Sequence, residues 1–443
     1  MATRRWQGGA LPVPQKETIT IGGTWVAADT LTVTCNGRSI VLTIGTTVTT
    51  TQIATELAAA LGSTSTALGA AYSVTERGPN IAEFREFVSG ETVPAASGST
   101  VVLIGKTKGK PYTITVAKSS TSGTVSTTTT TAASGPNHFT TAANWSGATV
   151  PVDSDDIVID SGNVDILYGL AQSAVSPASI TITQGYTGRI GLARINQDDT
   201  TYAYTEYRDR FLALGTSGDA ITQALTIGAG DGNGSNRINI DSGSGQCILV
   251  VLNSGAGELT GVPAISWKGT HASNTAAISK GSIGIAYDAG DTATVATLNV
   301  GYRTNQAGDS SVVCGTGVTL TTINQSGGTL ETNSAVTTCN LSGGVWSHLA
   351  GAVTTANIDG GACRYRATST MTTANIGGGG ELDFRQDPRA RTVTNCDLNQ
   401  GATLRDPTGT VTFTNGIDLN RVGLTGVTLE IPENKRLTFG SVS

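Results

Sequence analysis

Several things are scarce in this chain. Aromatic residues make up only 5% and charged residues 14% of its 443 positions. No apolar run approaches the roughly 20 residues that a membrane-crossing helix needs. The start, "MATRRWQGGALPVPQ", has two arginines but no apolar stretch behind them, so no secretory leader is expected. Apart from Arg4-Arg5 no cluster of basic residues exists, and the net charge is -6. A nucleic-acid partner, which calls for a basic face, is therefore not expected. The cysteines (Cys35, Cys247, Cys314, Cys339, Cys363, Cys396) show no CxxC spacing and no dense framework. Reduced thiols in a protein assembled in a cytoplasm are the simplest reading.

What the chain does have is glycine, 57 residues of it, together with abundant Thr and Ser and 38% hydrophobic residues. That mixture suits many short strands joined by tight turns. The length allows two or three domains or one long repeat array.

Four regions follow along the chain. Residues 1–16 read as an N-terminal arm, with Gly8-Gly9, Pro12 and Pro14 and little periodicity; such a segment is ordered only if something else holds it. Residues 17–118 read as a small β-rich α+β domain. Its strands alternate in period two, and Asn36-Gly37 marks a hairpin turn. One helix is expected there: Thr49 and Gln52 form a capping box, Val48 and Ile53 a hydrophobic staple, and Ile53, Leu57 and Leu61 one apolar face closed by Gly62. A second hairpin is expected over "STVVLIGKTKGKPYTITVA", turning at Lys108-Gly109-Lys110. Residues 119–136 are Ser/Thr-rich and read as a linker or an extended crossing strand.

Residues 137–443 carry a repeat. "VTTCNLSGG" from Val336, "VTTANIDGG" from Val353 and "MTTANIGGG" from Met371 say nearly the same thing. Aligned on their first apolar residue, the phrases begin at Val295, Leu320, Val336, Val353, Met371 and Val393, and from position 320 the steps are 16, 17, 18 and 22. Three positions on stand Leu298, Ile323, Cys339, Ala356, Ala374 and Cys396. Two further on stand Val300, Gln325, Leu341, Ile358, Ile376 and Leu398, with Gln325 the exception to an apolar column. Helical repeats need more residues than this; units of this length hold two or three strands, the coil of a β-solenoid. Gly328, Gly344, Gly361, Gly379 and Gly401 fit corners that need positive φ. Asn340, Asn357 and Asn375 fit an amide ladder or a turn cap. The expected architecture is a right-handed parallel β-helix behind a small β-rich domain with one packed helix, with a flatter stack or sandwich as the alternative. The longer steps contain "GYRTNQAGDS" and "FRQDPRART", expected as side loops where a partner would be met.

The repeat, the Thr/Gly/Ser bias and the entry "NWSGATVPVDSDDIVID" resemble β-helical proteins of phage virions and of bacterial surface adhesins. "ETITIGGTW" and "DTLTVTCNGRSIVLTIGTT" with "IATELAAAL" resemble small β-rich domains of phage structural proteins. The resemblance implies a non-enzymatic virion structural protein at the virion surface, of the capsid decoration type, carried on a major capsid protein or tail component and associating as a homotrimer. A receptor-binding tailspike or fibre that meets a host-surface glycan, and a bacterial adhesin, are the alternatives.

Chemistry is sparse. Carboxylate pairs of the kind that cleave glycans are Asp155-Asp156, Asp198-Asp199, and Glu381 with Asp383, the last able to share a strand face; solvated surface carboxylates are the plain alternative. "DGNGSNRINID" starts like a calcium loop at Asp231, Asn233 and Ser235, but Asn236 stands where the turn Gly belongs and Ser242 where the bidentate Glu belongs. His138, His271 and His348 lie far apart, so no metal or other cofactor is expected. Cys339 and Cys396 read as small buried hydrophobes, and Trp145 and Trp346 as packing at a solenoid end or corner rather than sugar platforms. Arg4, Arg5 and Trp6, the residue types that most often carry interface energy, are the candidate particle-attachment set on the arm.

Overall fold

The structure, a computed structural model, describes residues 2–45, 48–62, 72–74, 95–193, 210–215, 223–301, 310–420 and 426–438. It is mainly β. Beyond a small domain, two parallel sheets of 15 and 12 strands run side by side, each built from strands that alternate between them along the chain.

The small domain contains β2 (Lys16–Gly23), β3 (Thr30–Cys35), β4 (Arg38–Ile44), α1 (Thr50–Gly62), β5 (Tyr72–Val74), β6 (Ala95–Ser97), β7 (Thr100–Ile104), β8 (Ile114–Lys118) and β9 (Gly123–Thr131). They form two antiparallel sheets in the orders β6-β7-β2-β9 and β5-β4-β3-β8. The Asn36-Gly37 hairpin is present, with φ of 45° and 79° at its two turn residues, the left-handed pair that a two-residue turn demands. The capping box is also present: the Thr49 amide donates to Gln52 Oε1 at 3.0 Å and the Gln52 amide to Thr49 Oγ1 at 3.3 Å. Ile53, Leu57 and Leu61 are fully buried beside Ile19, Val33 and Leu42.

Two expectations for this region are corrected. β7 and β8 do not pair with each other: β7 lies on β2 and β6, and β8 on β3. The connection between them crosses from one sheet to the other, because Tyr112 is buried beneath it, its amide donating to Gln15 Oε1 and its hydroxyl to Leu103 O. Of the two readings of the Ser/Thr-rich stretch, the extended strand and not the linker is found. β9 runs antiparallel along the whole of β2, as an edge strand of the small domain; the β-branched threonines favour that extended form.

The arm is corrected too. Its β1 (Thr3–Arg5) is the first strand of the 15-stranded sheet, parallel to β10 (Asp156–Ile159) with Arg4 opposite Ile157. The chain therefore contributes β1 to the solenoid, leaves it to build the small domain, and returns. The small domain is an insertion between the first solenoid strand and the rest.

In the regular part each coil has two strands. Val336–Leu341 and Val345–His348 make one coil, and Val353–Ile358 and Ala362–Tyr365 the next. The six aligned starts stack in register, from Val295 on Leu320 through Val353 on Met371 to Val393. The second and third columns stack equally and are buried. No coil could bury these side chains alone; each is covered by its neighbours above and below. In the other sheet Leu330, Trp346, Cys363, Leu382 and Leu404 form one ladder, the largest side chain lying directly beside the small thiol. The corner glycines have φ of 67° (Gly328), 81° (Gly344) and 70° (Gly361). At Gly344 a Cβ would also sit 2.4 Å from Gly328 O, so both dihedral and space require glycine. Gln325 is a buried corner brace: its Nε2 donates to Gly327 O and Gly328 O, each at 3.2 Å, and to Val345 O at 3.1 Å.

Candidate functional site

Of the three attachment candidates, Trp6 and Arg4 are packed into the fold, and Arg5 stays exposed. Trp6 is 3% exposed, its ring edge-on to Trp145 at 5.1 Å, with Trp145 edge-on to Phe139 at 4.9 Å. Its indole N–H donates to Val164 O at 3.2 Å. Arg4 Nε donates to Asp155 Oδ2 at 3.0 Å, and the Ala2 amide to Asp155 Oδ1 at 2.9 Å. Arg5, exposed, pairs with Asp160. The Asn144 side chain ties the same corner, accepting from the Ala10 amide and donating to Gly135 O and His138 O. A mobile cationic and aromatic arm is thus replaced by a docked strand that closes the N-terminal end of the solenoid. Trp6 has no face left to offer a particle.

Among the described residues the candidate carboxylates are held by cations and amides rather than facing one another across an open cleft. Burial pushes the Asp155 carboxyl up, but the Ala2 amide, the Arg4 guanidinium and the Val152 amide together hold it below its ordinary range. Its neighbour Asp156 accepts from Ser179 Oγ at 2.5 Å. Glu381 and Asp383 do share the outer strand face, with Leu382 buried between them. Both are clamped by guanidinium groups: Arg385 Nε and Nη2 donate to Asp383, both at 3.0 Å, Arg385 Nη2 also reaches Glu381 at 3.4 Å, and Arg405 Nε donates to Glu381 at 2.7 Å. For Asp383, burial is outweighed by Arg385, and the carboxyl lies below its usual range. A general acid needs the opposite shift. Asp198-Asp199 lies outside the described residues. The "FRQDPRART" loop is closed by its own ion pairs, Arg389 on Asp387 at 2.5 Å and the buried Arg391 on Asp387 at 3.1 Å. Most of the "GYRTNQAGDS" loop lies outside the described residues.

The segment from Asp231 is a glycine corner, with Gly232 and Gly234 at φ of 141° and 67° against Gln184. Ser235 Oγ donates to Arg237 O within its own turn. Among the described residues no group of three or more His, Cys, Asp or Glu is placed to hold a metal ion. His138 lies in the junction with the small domain, Nε2 at 2.7 Å from Gly109 O, and His271 Nδ1 accepts from the Ser273 amide. His348 is buried in an aromatic ladder invisible to the repeat reading: Trp346, His348, Tyr365 and Phe384 follow one another at 5.4, 5.1 and 5.9 Å. Its Nε2 donates to Gly351 O, so Nδ1 accepts from Thr332 Oγ1, which itself accepts from the Trp346 indole. Burial pushes the imidazole down to about 4. All six cysteines are buried thiols outside any disulfide, and burial pushes Cys247 and Cys314 up to about 12. These are structural groups, chemically quiet at neutral pH.

One open feature among the described residues is a polar groove. Asn299, Asn324, Asn340, Asn357 and Asn375 form a continuous amide ladder on the outer face, each Nδ2 donating to the Oδ1 of the coil before at 2.8–3.0 Å. Two residues beyond stand Ser326, Ser342 and Asp359, all exposed. Between the two columns runs a groove of about 300 Å³. A second cavity, about 60 Å³, contains Arg210 and Arg237, but these are already paired with Asp288 and Glu258. The ladder ends in acid: Asp397 continues Asn375, and Asp418 continues Asp397.

Comparison of the chain with protein-family models, with curated proteins and with solved structures returned no match.

Proposed function

We propose that the protein is a non-enzymatic structural component of a virion surface, a capsid decoration protein that associates as a homotrimer. The single observation that carries this is the solenoid itself: among the described residues, a long parallel stack of strands around one shared buried core. Such a body is stiff and resists proteolysis because few of its amides are free to open. The virion setting is supported by the resemblance in repeat and composition. With β1 folded into the solenoid, attachment to the major capsid protein or a tail component falls to the inserted domain, residues 16–131, which carries no solenoid duty. Cosedimentation of the full chain with particles that lack it, followed by electron microscopy, tests this. Bound chains with the small domain against the particle are expected; no cosedimentation, or contact through the solenoid alone, would overturn it.

A second reading, a receptor-binding spike, is favoured by one observation, the polar groove along the asparagine ladder.

A further inference from the structure

We propose that the groove along the asparagine ladder binds a neutral, unbranched glycan laid parallel to the solenoid axis. This rests on the receptor-binding reading and names its ligand class and contact residues. An amide has two N–H donors and two carbonyl lone pairs. Within the ladder, Asn324 and Asn340, which line the groove, each use one donor and one acceptor on their neighbours. Each keeps one of both for solvent or a ligand. The facing column behaves differently. Ser326 Oγ donates to Gly301 O at 2.8 Å and Ser342 Oγ to Gln325 O at 3.2 Å. A hydroxyl has one proton, so both present only acceptors to the groove. Asp359 is exposed and has no ion pair among the described residues, so its carboxylate can accept two adjacent hydroxyls.

These groups recur once per coil, about every 4.8 Å. A ligand that satisfies them must be linear and must donate and accept hydrogen bonds along its whole length. Nucleic acid does not fit: no cation lines the groove, and Asp359 would face phosphate. An extended peptide binds by adding to a free strand edge, and here the strands Val318–Gln325, Val336–Leu341 and Val353–Ile358 are paired on both sides. Sugar hydroxyls meet the requirement. No aromatic ring lines the groove, so hydrogen bonding carries the affinity, and a dissociation constant on the order of 1 mM is expected.

The test titrates maltohexaose, cellohexaose, laminarihexaose and chitohexaose into the full chain, read by ligand-observed NMR. At least one is expected to bind, and the Ser342→Ala/Asp359→Ala double variant to weaken it about tenfold, with an unchanged melting temperature because both side chains are exposed. Lys106→Ala, in the small domain, is expected to bind as wild type does. Failure of all four glycans to bind at about 10 mM, or undiminished binding by the double variant, would overturn the proposal. Attachment of the chain to host cells with no binding of these glycans would retain the receptor-binding reading and reject this ligand class.

Discussion

The regular stack and the N-terminal end of the solenoid reach the same degree of burial by opposite means. In the stack, from Val318 to Arg405, the strand columns have equivalents above and below, and Val, Leu, Met, Cys, Ala and Ile exchange places within them. At the N-terminal end nothing repeats. Trp6, Phe139, Trp145, Asn144 and Asp155 each have one irreplaceable contact set, and the first strand is supplied from more than a hundred residues upstream of its partner, Arg4 lying opposite Ile157. A repeat is stabilised by its neighbours, whereas an end must be closed by something that is not a repeat.

The sharpest way to break the stack is to bury a charge in it. Ile358→Asp places a carboxylate in a column between Leu341 and Ile376, with no partner, and is expected to cost about 5 kcal/mol; thermal unfolding would read it. A melting temperature equal to wild type would mean that the column is not buried. The end is next. Trp6→Ala removes a 3%-exposed ring packed on Trp145 and should cost about 3–5 kcal/mol, loosening residues 2–6 and 137–159 before the rest. Simultaneous loss of the whole stack would show that the end is not a separate unit.

His348 sharpens the comparison through pH. Its folded imidazole is pushed down to about 4 by burial, against an unfolded value near 6.5. The unfolded chain therefore binds the proton first, and stability is lost as pH falls from about 6.5 to about 4, by about 3 kcal/mol in all. Denaturant unfolding of wild type and His348→Phe across that range should show the wild-type slope flattened in the variant. Equal slopes would place the imidazole in water.

The smallest effect lies where the amide ladder runs into acid. Asn375 stands in register with Asp397, and Asp397 with Asp418, so two carboxylates follow the last amide of the ladder. Burial and Asp418 raise the Asp397 carboxyl. A raised acid favours folding while protonated, so this group costs stability as pH rises through its folded value. Asp397→Asn should extend the ladder by one amide and stabilise the protein by about 0.5–1 kcal/mol at neutral pH, with less gain in acid. A destabilised variant at neutral pH would contradict the ladder's stated polarity.

The contrast between stack and end also explains what could be read from the sequence. Column identities, corner glycines and the asparagine ladder were legible because each is stated several times at constant spacing, so that one chance match carries no weight. The capping box and the Asn36-Gly37 turn were legible because they are local. The role of Arg4, Arg5 and Trp6 was not, since their partners Asp155, Asp160 and Trp145 lie far along the chain and match no repeat. The separation of β7 from β8 was hidden for a related reason: a turn-like Lys108-Gly109-Lys110 looks the same whether its flanking strands pair with each other or with two different sheets. The groove was half legible. Its asparagines could be seen, but the facing Ser326, Ser342 and Asp359 gain meaning only when the coils are stacked.

The docked N-terminal strand is the point on which this description of the molecule turns, and hydrogen exchange at residues 2–6 measures it directly in the intact chain. Protection of the Trp6 amide, which donates to Val158 O at 2.9 Å, and of its neighbours at a level comparable to β10 is expected. Exchange of residues 2–6 within seconds, with β10 still protected, would contradict it and restore a free arm.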